Sequence, residues 1–232
     1  KIENKEKEKT AINMSINSLV AMQEGGINDQ LGGGFFRYSV DDVWMIPHFE
    51  KMLYDNACLL ECYCKAYLLT KNKEFYHTAK KTADWLINEM QSIDGGFYSS
   101  IDADSDNGEG QYYIWDKKEV KECLSKNDYN IFSEYFGINK KENFEGKHHL
   151  YVSYNIKEDF KNRKKKINLN NKKILDKSIN ILLKIRNKRK KPFVDKKILT
   201  SWNALTINSL IEFYKISKNT LYLEKSEKAL KF

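Results

Sequence analysis

The chain has 232 residues, of which 41% are hydrophobic, 31% charged and 13% aromatic, so it can bury a sizeable core and is not disordered along its whole length. Two prolines and eleven glycines exclude collagen-like and proline-rich classes, no apolar run approaches the roughly 20 residues of a membrane span, and the charged segment 1–10 lacks the apolar centre of a signal peptide. The net charge of +8 comes almost entirely from lysine, with four arginines among 40 basic residues, so it argues only weakly for nucleic acid.

Apolar residues recur at three- and four-residue steps along most of the chain, which is the spacing of a helix that buries one face. The last such segment reaches the final residue in helical phase, without a stop signal. Two segments between helices, 96–100 and 111–115, have strand-like composition and predict small hairpins. The predicted helices cover residues 4–22, 50–69, 74–90, 117–124, 129–136, 169–188, 199–216 and 221–232.

Two long loops, 25–47 and 92–116, contain nine of the eleven glycines. Loops of this length inside a compact domain are usually functional. A Gly-Gly-Phe step occurs in each, at residues 33–35 and again 62 residues later at 95–97, which indicates a repeated helical hairpin. The pattern predicts an all-α fold, an α/α toroid whose long loops lie at one mouth of a central cleft. An irregular helical bundle is the alternative.

The first loop contains residue types common in active sites. Pro47 is well placed to start a helix, which predicts that His48 and Glu50 lie in or just before its first turn. A helix N-terminus lowers the pKa of a histidine, so His48 would be a workable general base. A capping or hydrogen-bonded structural role is the alternative for both residues. The same stretch also contains Arg37, Tyr38, Trp44 and Asp55.

The second loop is acidic: residues 82–116 contain eight acids and no lysine or arginine. Asp102, Asp104, Asp106 and Glu109 are interleaved with the aromatic residues Tyr112, Tyr113 and Trp115. Carboxylates beside aromatic rings suit a neutral polyhydroxylated ligand, and paired carboxylates perform glycoside hydrolysis. Asp102, Asp104 and Asp106 also match the opening of a calcium loop, but the later positions of that loop do not fit. An aspartate-rich turn is a third interpretation.

Three of the four cysteines, Cys58, Cys62 and Cys64, lie within one apolar segment. Their spacing lacks a fourth metal ligand nearby, which favours reduced core thiols in a protein that we expect to be cytoplasmic. The segment 157–191 contains fifteen basic and three acidic residues but lacks the interleaved aromatic residues of a single-strand binding surface. We interpret it as a solvated surface and linker.

Four motifs of this chain together resemble one family. They are GGINDQLGGGFFRYSVDDVWMIPHFEKMLYDNA from residue 25, GGFYSSIDADSDNGEGQYYIW from 95, NFEGKHHL from 143 and KRKKPFVDKKILTSWNAL from 188. In order and spacing they are similar to the thioredoxin-domain-containing proteins that resemble spermatogenesis-associated protein 20. The resemblance covers roughly residues 14–216.

The resemblance implies a thioredoxin-like domain followed by a long α/α toroid, which is itself similar to N-acylglucosamine 2-epimerases and six-hairpin glycosidases. It implies that residues 1–232 form part of that toroid, without the thioredoxin-like domain and the remaining helical hairpins. The sequence departs from the family pattern at three positions. Phe36 stands where the family often has histidine, Asn28 replaces a usual tyrosine, and Lys196 occupies the place of a second acid beside Asp195.

We therefore expect a carbohydrate-active domain of the epimerase or glycoside hydrolase type, with a non-catalytic scaffold or binding module that accompanies a thioredoxin-like domain as the alternative. We expect a sugar-like small molecule as ligand, no cofactor or metal, no membrane or nucleic acid, and self-association through exposed toroid edges. The predicted catalytic residues are Arg37, His48, Glu50, Asp102 and Asp104, and the predicted substrate-binding residues are Tyr38, Trp44, Asp55, Trp115, Asp195, Trp202 and Asn203.

Overall fold

A computed structural model gives the architecture of the chain and describes residues 2–105, 108–153 and 168–232. Helices dominate, and each strand in these ranges is a pair of residues. The helices are α1 Ile2–Glu24, α2 Leu53–Thr70, α3 Lys73–Trp85, α4 Lys117–Cys123, α5 Lys126–Tyr135, α6 Leu169–Arg186, α7 Thr200–Ser217 and α8 Thr220–Lys231. The strands are β1 Tyr38–Ser39, β2 Pro47–His48, β3 Lys51–Met52, β4 Ser100–Ile101, β5 Asp104–Ser105, β6 Gly108–Glu109 and β7 Val194–Asp195.

The helices predicted from periodicity are all present, with their ends shifted by a few residues. The helix predicted over 74–90 is α3 followed by a π-helical turn, Leu86–Met90. The hairpins predicted from composition are only partly present. The segment 111–115 is mostly turn, and only Trp115 pairs with a partner, His148. The segment 96–100 contributes a bridge at Phe97 and the first residue of β4.

Two helical hairpins form the scaffold. In one, α2 packs on α3; in the other, α7 packs on α8; and the two hairpins meet through α2 and α7. Side chains such as Leu53, Leu60, Leu210 and Phe213 are completely buried in the shared core. Neighbouring inner helices that each carry an outer helix are the arrangement of an α/α toroid, so the predicted fold class is confirmed.

The two hairpins turn in the same way. Both inner helices end at a lysine in the left-handed conformation, Lys71 with φ of 57° and Lys218 with φ of 59°. The next residue is an asparagine in each case, and its side chain caps the outer helix by accepting a backbone N–H. The same two-residue turn at both places indicates a repeated unit.

An asparagine clamp also repeats. The Asn56 side chain accepts a hydrogen bond from the Phe35 N–H at 2.6 Å and donates to the Phe35 carbonyl at 2.9 Å. Asn203 makes the same two bonds with Phe97, at 2.7 and 3.0 Å. Each Gly-Gly-Phe step is thereby fixed to the first turns of the next inner helix, which gives the sequence repeat its physical basis.

A small sheet ties the loop segments together, in the order β3–β4–β7 with antiparallel pairing. Ile101 of β4 lies opposite Lys51 of β3 and Val194 of β7. Helices α4, α5 and α6 occur in the chain between β4 and β7 and bury a second core around Trp115, Phe132 and Leu182. The segment between β4 and β7 is therefore a large insertion between the second Gly-Gly-Phe step and its inner helix, α7.

Three buried charges connect the insertion to the scaffold. The Asp29 carboxylate contacts the Lys51 Nζ at 2.8 Å and accepts two hydrogen bonds from Arg186, at 2.7 and 2.9 Å. Burial alone would raise the pKa of Asp29, but the Arg186 and Lys51 charges outweigh it and hold that pKa well below its usual range. The basic segment 157–191 is described only from residue 168 onward. In that part, Arg186 is internal, and Arg189 binds Glu119 at 2.8 Å.

Candidate active site at the loop mouth

The side chains of residues 47–51 alternate between two sides. Phe49 and Lys51 are buried, whereas His48 and Glu50 are partly exposed. Successive side chains of an extended segment point in opposite directions, which explains the alternation. His48 and Glu50 therefore share one surface, and Lys51 faces the interior.

The extended geometry corrects the helix predicted at Pro47. Pro47–His48 forms β2, which pairs with β1 so that Tyr38 lies opposite His48. Helix α2 begins only at Leu53. His48 and Glu50 are therefore not at a helix N-terminus, and the expectation that a helix dipole tunes His48 is wrong. Proline fits the first residue of a strand as well as the first turn of a helix, because both tolerate its missing N–H.

His48 is bracketed by two carboxylates. Its Nδ1 lies 2.7 Å from Glu109 Oε1, and its Nε2 lies 3.8 Å from Glu50 Oε2. The Phe49 N–H also donates to Glu109 Oε1, at 3.2 Å. An ionised carboxylate has only acceptors, so Nδ1 is the nitrogen that donates to Glu109, and Nε2 is the nitrogen that faces Glu50. The Tyr38 ring stacks on the imidazole at 5.1 Å with an interplanar angle of 24°.

Glu50 is held by a cation. Arg37 donates from Nη1 to Glu50 Oε2 at 2.9 Å. Hydrogen bonding to Glu50 and then to Tyr54 raises the pKa of the Arg37 guanidinium. Arg37 is largely exposed, so this pair contributes little to stability. Its effect is local: it keeps a positive charge beside the carboxylate.

Asp55 lies in the first turn of α2, in a different environment from Glu50. Its side chain is about half-buried, and its Oδ2 is buried without a hydrogen-bond partner in the described residues. Burial raises the pKa of Asp55 to about 6, opposed by Arg37 and assisted by the nearby Glu50 charge. This carboxyl group therefore titrates close to neutral pH.

Trp202 reaches the same end of the scaffold from α7. Its ring packs against Tyr54 of α2 with centroids 4.8 Å apart. Helices α2 and α7 lie side by side, which places their first turns together. The contacts above define what we call the His48 cluster, which consists of Arg37, Tyr38, His48, Glu50, Tyr54, Asp55, Glu109 and Trp202.

Trp115 does not belong to this cluster. Its side chain is 0% exposed and lies in the second core, with the Arg189 guanidinium 4.0 Å above the ring. It does not contact solvent, so the expectation that Trp115 binds substrate is wrong. Burial in an inserted subdomain is not visible from the local pattern of aromatic and acidic residues.

Asp102 and Asp104 are exposed in and beside the β5–β6 hairpin. Asp102 Oδ1 accepts the Asp104 backbone N–H at 3.2 Å, as in an aspartate turn. Asp104 lies opposite Glu109 in the hairpin, so the hairpin brings Glu109, rather than either aspartate, to His48. Asp195 lies on β7, where it bonds the Lys197 backbone N–H and ammonium, both at 3.1 Å.

Two further predicted binding residues have structural contacts. The Asn203 side chain is buried and its amide is occupied by the Phe97 clamp. Trp44 has a φ of 62° and packs partly buried against the core, and its carbonyl accepts the Gly26 N–H. Both residues shape the loops beneath the His48 cluster.

The sequence interpretation missed Glu109 and Tyr54 as site residues. Tyr54 is adjacent to Asp55 in α2, so the helix position alone points to it. Glu109 is one of the eight acids of residues 82–116, but nothing local distinguishes it from the others. Its contact with His48 spans 61 residues and depends on the fold of the hairpin.

The described residues contain no group of three or more His, Cys, Asp or Glu side chains that could hold a metal ion. Asp106, a member of the possible calcium loop, lies outside these residues. The four cysteines are free thiols, with Cys64 buried and Cys58 and Cys62 exposed. Among the helices of the described ranges, none combines the length and apolar character needed to cross a bilayer.

Comparison with known proteins places the chain among homologues. No protein-family model matches the chain. The chain is 34% identical over 252 residues to the uncharacterized protein B0495.5 of Caenorhabditis elegans, covering 98% of this chain and 34% of that protein. It is 44% identical over 117 residues to spermatogenesis-associated protein 20 of Rattus norvegicus and 43% identical to the Homo sapiens protein, each match covering 48% of this chain and 15% of the relative.

The chain is thus homologous to spermatogenesis-associated protein 20 over about half of its own length, and it spans about a third or less of these relatives. Solved structures with related helical arrangements include a family 76 glycoside hydrolase (mannosidase) of Bacteroides thetaiotaomicron, with 12% identity, a TM-score of 0.46, and coverage of 89% of this chain and 33% of that chain. A D-mannose isomerase has 15% identity and a TM-score of 0.38, covering 95% and 51%. A sugar epimerase from a ruminal bacterium has 13% identity and a TM-score of 0.37, covering 95% and 53%.

Proposed function

We propose that the His48 cluster is an acid–base site that moves a proton next to a carbonyl group of a sugar-like ligand, as an epimerase or isomerase does. The single observation that carries the proposal is the bracketed histidine, with Glu109 2.7 Å from Nδ1 and an open Nε2 on the Glu50 side. A carboxylate on one ring nitrogen fixes the tautomer and makes the other nitrogen a better base.

In this chemistry, His48 Nε2 takes the proton from the carbon beside the carbonyl group. The C–H electron pair moves toward the carbonyl oxygen, where Arg37 or the Tyr38 hydroxyl stabilises the developing negative charge. The imidazolium that forms lies between Glu50 and Glu109, which both favour its positive charge. The imidazolium then gives the proton back to the neighbouring carbon, while the enediol hydroxyl proton passes to the other oxygen, or it gives the proton to the opposite face of the same carbon once the intermediate has rotated to present that face to His48.

Aromatic rings at this surface support a sugar-like ligand. Tyr38 is exposed over the imidazole, and Tyr54 and Trp202 form a partly exposed pair. Apolar C–H faces of a sugar stack on such rings while its hydroxyl groups donate to carboxylates. Glu50, Asp55 and Glu109 supply those carboxylates.

A second candidate function, glycoside hydrolysis, rests on a different observation. Glu50 is paired with the Arg37 guanidinium at 2.9 Å, whereas burial and the unpartnered Oδ2 favour the protonated form of Asp55. Two carboxyl groups with opposite environments are the acid and the base of a glycosidase. We propose Asp55 as the acid and Glu50 as its partner, in the role that the sequence interpretation gave to Asp102 or Asp104.

The test is a panel of free and linked sugars incubated with the protein in D₂O and followed by proton NMR. Epimerase or isomerase chemistry exchanges the carbon-bound proton into solvent, and hydrolysis releases reducing ends without that exchange. We expect His48→Ala and Glu109→Gln to abolish exchange, while His77→Ala, an exposed histidine of α3, leaves it unchanged.

Two results would favour other readings. Binding of sugars without turnover, with unchanged affinity in the His48→Ala variant, would favour the non-catalytic binding module. No binding and no turnover of any sugar, by a protein that is folded by circular dichroism, would refute the proposed function.

A further inference from the structure

A cavity lies away from the His48 cluster, between the outer helix α3 with its π-helical turn and the inserted helix α6. Its volume is about 420 Å³, which falls within the range of small-molecule sites. Trp85, Tyr112 and Tyr113 contribute aromatic surface to it. Lys51 lines this cavity, whereas its neighbours His48 and Glu50 face the other side of the same extended segment.

The floor of this cavity has more positive than negative charge. Lys51 and Arg186 share the single carboxylate of Asp29, and each of these three side chains is at least 95% buried. The remaining contacts of the two cations are to neutral groups. Lys51 donates to the Gly33 carbonyl and lies 4.8 to 5.2 Å from three aromatic rings, and Arg186 lies over Tyr112 and Tyr113.

The acidic residues at the rim of the cavity do not neutralise the surplus positive charge, because they are paired with other groups. Glu89 is paired with Lys191 at 2.7 Å, and Asp84 is engaged by Lys80 at 2.6 Å and by the Tyr222 hydroxyl at 2.7 Å. Lys81 adds a further cation at the rim, where its Nζ is 3.3 Å from the Gln30 carbonyl. The described lining therefore holds one surplus buried cation, with further lysines around the opening.

A buried charge without a counter-charge is costly, and two buried cations also repel each other. The consequence is visible at Lys51: burial lowers its pKa, Asp29 opposes this, Arg186 adds to it, and the result is a pKa of about 8. A structural ion pair needs only one cation for each carboxylate. A negatively charged group bound above Lys51 and Arg186 would neutralise the positive charge that Asp29 leaves unpaired.

We infer that this cavity, which we call the Lys51 cavity, binds a small organic anion of about monosaccharide size, with its phosphate or carboxylate group above the Lys51–Asp29–Arg186 floor. The rings of Tyr112, Tyr113 and Trp85 supply the apolar contacts for the rest of the molecule. The inference does not depend on the function proposed for the His48 cluster.

Isothermal titration calorimetry of the whole chain at pH 7 and low ionic strength tests it, with glucose 6-phosphate, glucuronate, inorganic phosphate and glucose as probes. We expect binding of at least one sugar anion, tighter than that of glucose. The comparison of glucose 6-phosphate with glucuronate shows whether phosphate or carboxylate is preferred. The affinity for inorganic phosphate shows how much of the binding comes from the anionic group without a sugar.

Rim variants locate the binding. Lys81→Gln combined with Lys191→Gln changes the cavity opening and leaves the buried floor intact, and we expect about tenfold weaker anion binding. The matched control, Lys117→Gln with Lys121→Gln on α4, removes the same charge from an exposed face and should bind like the parent. The His48→Ala variant should also keep its anion binding, which separates this site from the His48 cluster.

Three results would overturn the inference. They are no binding of any anion, equal affinity for glucose and glucose 6-phosphate, and unchanged affinity in the Lys81 and Lys191 variant. Loss of anion binding in the His48→Ala variant, with the rim variant unaffected, would assign the anion to the other surface and would likewise overturn it.

Discussion

Replacing Asn56 by alanine removes the clamp that fixes the first Gly-Gly-Phe step to α2. The clamp consists of bonds of 2.6 and 2.9 Å to the N–H and carbonyl of Phe35, a residue that is 0% exposed. Without Asn56 both backbone groups are buried and unpaired, at a cost of roughly 1–3 kcal/mol each. We expect the free energy of unfolding to fall by about 3 kcal/mol, and by a similar amount for Asn203→Ala, because its clamp has the same two bonds.

Urea unfolding followed by circular dichroism measures this difference. The Asn56→Asp variant puts an acidic group at a fully buried position that faces the Phe35 carbonyl oxygen, so at pH 7 it should lose at least as much unfolding free energy as Asn56→Ala. Asn208→Ala on the exposed face of α7 is the control, because its amide has only a 3.5 Å contact with Glu61. A loss of less than about 1 kcal/mol in both Asn56→Ala and Asn203→Ala would refute the idea that the clamps hold the repeat together.

The remaining predictions concern the site and the second core. The pKa of Asp55 is about 6 in the folded chain, above its value of 3.8 when unfolded, so its ionisation destabilises the fold as pH rises through this window. Asp55→Asn should therefore be more stable than the parent at pH 7, and this difference in stability should disappear below about pH 4. Thermal melts at several pH values measure it. A difference that does not change with pH would contradict the idea that burial raises the pKa of Asp55. If Asp55 is the acid of a hydrolase, turnover by the parent should decline as pH rises above about 6. Trp115→Phe should lower the free energy of unfolding in urea by about 1–2 kcal/mol, because packing and the Arg189 contact are lost. It should leave the affinity for sugars unchanged. A changed affinity would show that Trp115 takes part in ligand binding after all.

The helices could be predicted because their physical signal is local. Leu53, Leu60 and Tyr63 follow helical spacing on a face that is completely buried, and periodicity reports such a face directly. The repeat could be predicted from the two Gly-Gly-Phe steps. Glycine is required where the backbone is left-handed or closely packed, so the same step marks the same local structure. Gly33 has a φ of 76°, and a Cβ there would lie 2.6 Å from the Lys81 carbonyl oxygen.

The candidate site could be predicted only in part. His48, Glu50 and Arg37 lie close together in sequence and in space, so the loop motif indicated them. Glu109 joins them through a hairpin from another loop, and no local pattern reports that pairing. The helix expected at Pro47 failed because proline is compatible with two kinds of element, and the β1–β2 pairing selected the strand.

The other differences between the sequence predictions and the structure arise because residues far apart in sequence bury a side chain. Trp115 has the same local surroundings of acids and aromatic rings as a sugar-binding residue, yet it is enclosed by α4, α5 and α6. Lys51 and Arg186 are 135 residues apart and meet around Asp29. A basic segment that looked like a solvated surface thus supplies a buried cation, because one of its helix positions faces inward.

The pairing of Ile101 with Val194 means that the chain leaves the scaffold and returns to it at the same point. The segment between these two residues is therefore a cassette that leaves and re-enters the scaffold at one junction. This cassette supplies Glu109 to one site and Arg186 to the other. One inserted segment therefore contributes to both surfaces, so a change within it would affect the surroundings of His48 and of Lys51 together.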